Sequence, residues 1–381
     1  MKKTVKIGII GCGFVSEYYM RTMSLYAHVE LVAVTDLIHE RAQKFANHFK
    51  VEWCKDLDEL LQEEIDLVVN LTDPENHFEV SKAALLAKKH IYSEKPLTLS
   101  FDEAKALEQL AKQNNVYLSG APCTILGPSA KTLHHAIENG KIGKVYLVHI
   151  EMDDGPIYLM NPDTWKTPLG VPWPYESEFH LGSSFEHLGY PLSWIVTMFG
   201  SVVETVASSH CLVPNKMENH PPFSGTDYSV AVLKHDSGVI SRLTCGIVAP
   251  MNRGITVVGE KGSLFVEDIW DNNAPVWFQS NSSFKLKAAR KKMITRFGIT
   301  RLAFGLTKKK LPMIAKSKAS FKGGNNVHMD YMLGIADLCD AILNNRTPVL
   351  NTDLIMHINE LTLAINYPKS KSIKLESAAS K

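Results

Sequence analysis

The chain has 381 residues, of which 45% are apolar and 21% charged, with 41 basic side chains against 40 acidic ones. That length suits two globular domains, since single domains usually run to roughly 100–200 residues, and a net charge of +1 gives no average electrostatic case for nucleic acid or a membrane surface. The six cysteines (Cys12, Cys54, Cys123, Cys211, Cys245 and Cys339) show no paired spacing, which argues against a disulfide framework or a metal site and fits a reducing cytoplasm. The opening "MKKTVKIGIIGCGF" has too short and glycine-broken an apolar run for a secretory signal and reads as a folded strand. No stretch approaches the roughly 20 apolar residues that cross a bilayer.

Apolar periodicity predicts strands at 4–10, 30–35, 66–71, 90–93 and 116–120, alternating with helices at 14–25, 40–49, 74–87 and 101–113. Such alternation implies an α/β Rossmann domain, a doubly wound parallel sheet covered on both faces. Beyond roughly residue 145 the pattern changes to "KVYLVHIEM", "SVVETVASS", "DYSVAVLKH", "GVISRLTCGIV" and "GITVVG", with hairpin signals at "HDSG" and "GEKG". This predicts an α+β domain on a large, mostly antiparallel open sheet, closed by helices at about 328–343 and 352–365. The expected division is a dinucleotide-binding domain over 1–122 and a substrate-binding and oligomerisation domain over 123–381.

In "GIIGCGFVSEYY", Gly11, Gly13 and Ser16 fill the three positions of a dinucleotide loop, with Phe14 and Val15 between them. Gly11 makes the tight turn, Gly13 lets backbone approach a pyrophosphate, and the phosphates sit at the positive end of the following helix. Asp36 ends the second strand about 20 residues on, where its carboxylate accepts from ribose hydroxyls. With Leu37 next and no adjacent arginine, Asp36 favours NAD, although His39 and Arg41 are close enough to leave NADP open.

With "AVTD" and above all "KKHIYSEKPLTLSFDEAKAL", these residues resemble the Gfo/Idh/MocA oxidoreductases, the group containing glucose–fructose oxidoreductase and inositol dehydrogenase. "IENGKIGKV", "GEKGSL" and "MDYMLGIADLCDAI" extend the resemblance over most of the chain. It implies that Lys95, after a strand end of the parallel sheet, is the catalytic acid/base, and that Glu94 holds the nicotinamide ribose side. A nearby cationic nicotinamide and partial burial predict a lysine pKa lowered toward about 7–8. Read without this context, Glu94 and Lys95 are a solvated surface pair of little value. Pro96 is a candidate cis proline.

The resemblance also implies a helix bearing an acid and a second group four residues apart. In "FHLGSSFEHLGYPLSW" Glu186 and Tyr190 take those places, and His187, one residue out of register, competes as the partner of Lys95. Thr72, Pro74 and His77 form a further cofactor loop, His77 reading equally as a first-turn helix residue. Cys123 reads as a small buried residue.

The connector 153–180 is long and aromatic. Trp165 and Trp173 offer faces for a sugar ring and Asp153 an acceptor for its hydroxyls, or the aromatics pack a lid on their own domain or a neighbouring subunit. Thirteen basic residues from Lys285 to Lys322, without an acidic one, read as a solvated face or as a site for sugar-nucleotide phosphates or anionic lipid. The expected activity is NAD(P)-dependent hydride transfer at a secondary alcohol of a sugar, nucleotide sugar or polyol, in a homodimer or homotetramer. An NAD-dependent glycosidase with transient hydride transfer, or a non-catalytic cofactor-sensing regulator, are the alternatives.

Overall fold

The computed structural model describes residues 3–281, 308–317, 319 and 329–368. The basic segment 285–322 therefore lies largely outside the described residues. Six strands, β1 (Val5–Ile10), β2 (Val29–Thr35), β3 (Glu52–Trp53), β4 (Leu67–Asn70), β5 (His90–Ser93) and β6 (Leu118–Gly120), form one sheet in the order β3-β2-β1-β4-β5-β6. Every pairing in it is parallel. β4 reads Leu-Val-Val-Asn and is buried throughout, as a strand covered on both faces must be. The helices that cover it are α1 (Ser16–Met23), α2 (His39–Phe49), α3 (Leu57–Gln62), α4 (His77–Leu86) and α5 (Phe101–Asn114).

Two elements of this domain escape periodicity. β3 has only two residues, both exposed. α3 spans six and carries its start signal in its cap, where the Asp56 side chain accepts from Glu59 N at 2.9 Å. The helix expected at 74–87 begins as a 3-10 turn over Pro74–Asn76 and becomes α-helical at His77.

After α6 (Pro128–Glu138), the second sheet comprises β7 (Val145–Asp153), β8 (Val202–His210), β9 (Tyr228–His235), β10 (Ile240–Gly246), β11 (Ile255–Gly259), β12 (Gly262–Val266), β13 (Val276–Ser280) and β14 (Lys309–Lys310). Their order is β14-β13-β12-β11-β7-β10-β9-β8, antiparallel except for the parallel β7–β10 pair. Both hairpin signals are turns here: "HDSG" joins β9 to β10, with Gly238 at φ +83°, and "GEKG" joins β11 to β12.

Between β7 and β8 lie three helices, α7 (Tyr175–Leu181), α8 (Ser183–His187) and α9 (Gly189–Phe199). The chain closes with α10 (Met332–Asn344), which packs on α1 and β1 of the first domain, and α11 (Thr352–Asn366), which packs on α5 and β6 of the first domain and on α8, α9 and β8 of the second. Asp330, just before α10, accepts from the hydroxyls of Thr22 and Tyr26 on and beyond α1, a buried polar tie across the two domains. One continuous apolar core runs through both sheets, and a smaller cluster of Ile157, Phe179, Phe223 and Ile247 sits under the connector.

Candidate active site

The glycine loop follows β1 directly. Gly11 has φ +93°, and a Cβ there would lie 2.5 Å from Leu71 O, so the turn and its packing both demand glycine. Gly13 differs: a Cβ there would meet no atom within 4 Å. Packing does not explain the missing side chain at Gly13, whereas the close approach of a ligand does. Phe14 stacks at a tilt on Tyr18 and Val15 precedes α1 without capping it by a side chain, while Ser16 Oγ donates to Gly13 O at 2.7 Å. The first amides of α1 thus lack a side-chain cap at the positive end of the helix, a setting suited to phosphate.

Asp36 faces this loop from the end of β2. It accepts from Cys12 N and from Ile38 N, each at 2.7 Å, and Arg41 Nη1 lies 3.9 Å away. The loop, the helix start and the carboxylate fit a dinucleotide. Glu94, after β5, is buried and accepts from Tyr19 Oη at 2.6 Å and from Lys95 N at 2.9 Å.

Lys95 sits at the carboxyl end of the parallel sheet, where open α/β folds bind ligands. The Lys95–Pro96 bond is cis, as is Ala121–Pro122. Lys95 Nζ reaches Glu186 Oε2 at 2.7 Å, with side chains 14% and 21% exposed. α9 begins against the lysine, since a Cβ on Gly189 would lie 4.0 Å from Lys95 Cβ.

The lowered lysine pKa expected from burial is not present in this site. Burial does push the ammonium down, but the acidic neighbours, Glu186 first and then Glu178 and Glu94, reverse it, and the net shift is upward. For Glu186 burial works upward, yet the Lys95 ammonium and a hydrogen bond from Glu178 hold it at about 2.

The other sequence candidates divide. Tyr190 is buried, its ring centroid 5.0 Å from that of Trp270, and burial followed by the nearby Tyr331, Glu94 and Glu186 raises its pKa. His187 turns to the neighbouring group: its Nε2 lies 3.7 Å from Asp154 Oδ2, and Arg253 joins Asp154 to Asp268. Of the three, Glu186 alone makes a direct bond to Lys95.

His77 is fully buried, with Nδ1 2.6 Å from Pro96 O and Nε2 2.9 Å from Thr72 O. It fastens the Thr72 loop to the Pro96 turn and leaves no ring nitrogen free. Thr72 Oγ1 donates to Asn70 Oδ1, and Pro74 opens the 3-10 turn. Cys123 is buried, its thiol near Asp330 O.

Trp165 and Trp173 lie with centroids 5.0 Å apart and pack, partly buried, against the small core cluster that contains Phe179, on their own domain. Asp153 is buried and accepts from Thr244 Oγ1 at 2.9 Å. The connector also reaches the first domain: Leu169 N donates to Glu17 at 3.2 Å and Lys44 Nζ to Leu169 O at 2.6 Å.

Sequence reasoning missed Glu178. It lies on α7, four residues before Gly182, and Glu186 lies four after. Gly182 has φ +97°, and a Cβ there would be 2.5 Å from Thr226 N. This glycine turn joins α7 to α8 and sets the Glu178 carboxyl group to act on that of Glu186. The equal spacing about a glycine was the available signal.

Residues 5–121 match the family described as "Oxidoreductase family, NAD-binding Rossmann fold", and residues 130–265 match the "GFO/IDH/MocA C-terminal domain". An uncharacterized oxidoreductase of Bacillus subtilis, YrbE, is 29% identical over 156 residues, 40% of this chain and 46% of that protein. The scyllo-inositol 2-dehydrogenase (NAD(+)) of the same organism is 24% identical over 292 residues, 75% of this chain and 80% of that protein. The WlbA dehydrogenase of Bordetella pertussis, solved with NADH and UDP-GlcNAcA, superposes with a TM-score of 0.70 at 17% identity, over 96% of this chain and 95% of that one, and shows the shared fold. This chain belongs to the Gfo/Idh/MocA family of NAD(P)-dependent oxidoreductases.

Proposed function

We propose that the protein transfers hydride between nicotinamide and a secondary alcohol carbon of a sugar, nucleotide sugar or polyol, with Lys95 moving the hydroxyl proton. The observation that carries this reading is the Lys95–Glu186 bond at the carboxyl end of β5, beside a glycine loop whose Gly13 faces open space. Bound NAD(P) supplies the hydride acceptor or donor. The inositol dehydrogenase and the UDP-sugar complex among its relatives support a polyhydroxylated substrate.

Lys95 rests as an ammonium, held so against burial first by the Glu186 carboxylate. It gives its proton to a substrate carbonyl oxygen during reduction, and as the neutral amine takes it back during oxidation. Glu186 fixes the Nζ position and balances its charge. Tyr190, one helical turn on, faces the same side and orients the substrate oxygen, with His187 and Asp153 lining the route into the second domain. Asp36 holds the adenosine ribose and disfavours a 2′-phosphate by repulsion, so NAD is the preferred cofactor. His77, with Thr72 and Pro74, shapes the nicotinamide side indirectly by fastening two loops.

The same reading divides the chain into a cofactor domain, 1–122, and a substrate and assembly domain, 123–381. It includes self-association through the open face of the second sheet, where Val206 and Val232 stand opposite each other in register, 59% and 47% exposed. Among the described residues no helix is long and apolar enough to cross a membrane.

The test is NADH formation by the purified protein with NAD+ and a panel of sugars, polyols and nucleotide sugars. Turnover of one class establishes the reading. Cleavage of a glycoside with no net NADH would replace it with the glycosidase.

A further inference from the structure

Three carboxyl groups, those of Glu94, Glu178 and Glu186, surround the single ammonium of Lys95. Two have evident roles as anions. Glu94 accepts from Tyr19 Oη and Lys95 N, and Glu186 accepts from Lys95 Nζ. Among the described residues Glu178 forms no salt bridge, and no donor reaches its Oε2, which is shut off from solvent. Its contact is the carboxylate of Glu186. Two carboxyl groups in hydrogen-bonding contact cannot both be ionised without strong repulsion, so one keeps a proton. Lys95 lies directly on Glu186, which makes Glu178 the one that keeps it.

We propose that Glu178 is a positioning residue of the oxidoreductase site, a neutral carboxylic acid that donates a hydrogen bond to Glu186 and holds that carboxylate ionised against Lys95. The inference rests on the proposed function only for its consequence in turnover. The electrostatics agree. Burial and then the Glu186 carboxylate push the Glu178 pKa well above the usual range, against a smaller downward pull from Lys95. The other charged groups around the pair are Glu94 and Lys95 after β5, Asp73 before α4, His187 on α8, and Asp154 with its Arg253 partner.

The backbone is built to hold this arrangement. Gly182 N donates to Glu178 O at 2.8 Å, and Ser183 N to Thr226 O at 2.7 Å, so both sides of the turn are pinned. Phe179, next to Glu178, is buried in the small core cluster with Phe223 and Ile247. Glu178 is therefore delivered by the connector, whose Leu169 also bonds to the first domain. Positioning of the Lys95 partner is coupled through α7 to the seating of the connector.

The test has two parts on the full chain. Infrared difference spectra between wild type and Glu178→Gln at neutral pH read protonation without any substrate. A carboxylic-acid C=O band present in wild type and absent in the variant is expected, and no such band overturns the proposal. Turnover of Glu178→Gln, whose amide still donates to Glu186, should stay within about threefold of wild type, while Glu178→Leu should fall by about ten- to a hundredfold, the scale of one hydrogen bond to a charged group. Equal loss in both variants would mean that Glu178 acts as an anion, and full activity in Glu178→Leu would mean that it positions nothing; either result overturns the proposal. Because the infrared result needs no turnover, failure of the oxidoreductase reading would leave it standing.

Discussion

Lys95 Nζ and Glu186 Oε2 meet at 2.7 Å although 91 positions separate them in the chain, one at the end of a parallel strand and the other on a helix of the second domain. The bond makes the site a property of the domain pair. The parallel sheet places the lysine, the second domain brings its anion, and neither half holds the pair alone.

Gly11 and Gly13 are two residues apart and should fail in opposite ways. Gly11→Ala sets a Cβ against Leu71 O at a positive φ, so it should destabilise the fold by about 1–3 kcal/mol, seen as a lower Tm. Gly13→Ala meets no protein atom, so Tm should hold while NAD binding weakens by at least about tenfold in a fluorescence titration. If Gly13→Ala bound NAD normally, the loop would not be the pyrophosphate cradle.

Asp36 carries the cofactor preference. Asp36→Ser should lower NAD affinity by about tenfold, roughly one hydrogen bond to a charged group, and narrow the gap to NADP as Arg41 loses its carboxylate neighbour. Parallel titrations with the two cofactors check it, and an unchanged ratio would remove Asp36 from the ribose site.

Glu178 and Glu186 predict opposite pH dependences of stability. Glu186 is held at about 2, so its contribution is present above the ordinary carboxylate value and is lost as pH falls through about 2. Glu178 is raised, so the folded state binds its proton more tightly than the unfolded chain does. Stability then declines as pH rises above the ordinary value of about 4.3, until the raised pKa is passed. Lys95, raised as well, contributes below the ordinary value of about 10.4 and loses that contribution as pH rises through its folded value. Glu178→Gln removes only the Glu178 slope, so its Tm should gain on wild type progressively between about pH 5 and pH 8. Parallel Tm curves would show that Glu178 titrates normally.

Much of this was legible in the sequence because it rests on local patterns. The glycine loop, Asp36 and the Glu94-Lys95-Pro96 turn each occupy a few consecutive residues joined to a strand of clear periodicity. β3 was missed because two exposed residues carry no period, and α3 because its signal lies in the Asp56 cap. The lysine pKa was misjudged for a different reason. Its direction depends on carboxylates drawn from distant segments, and Glu178 reaches the site only through the Gly182 turn. Trp165 and Trp173 look alike in sequence whether they face a ligand or a core, and only the fold shows that both pack against the small cluster under the connector.

The most direct measurement is the rate of NADH formation by Lys95→Ala at saturating NAD+, with cofactor affinity measured on the same preparation, and with and without a small primary amine in the buffer. The account predicts unchanged NAD affinity, a rate lower by about 10²–10⁴-fold, the span of a lost general acid–base, and partial recovery with the amine. A variant that binds NAD and keeps its wild-type rate would contradict the central claim that Lys95 moves the proton.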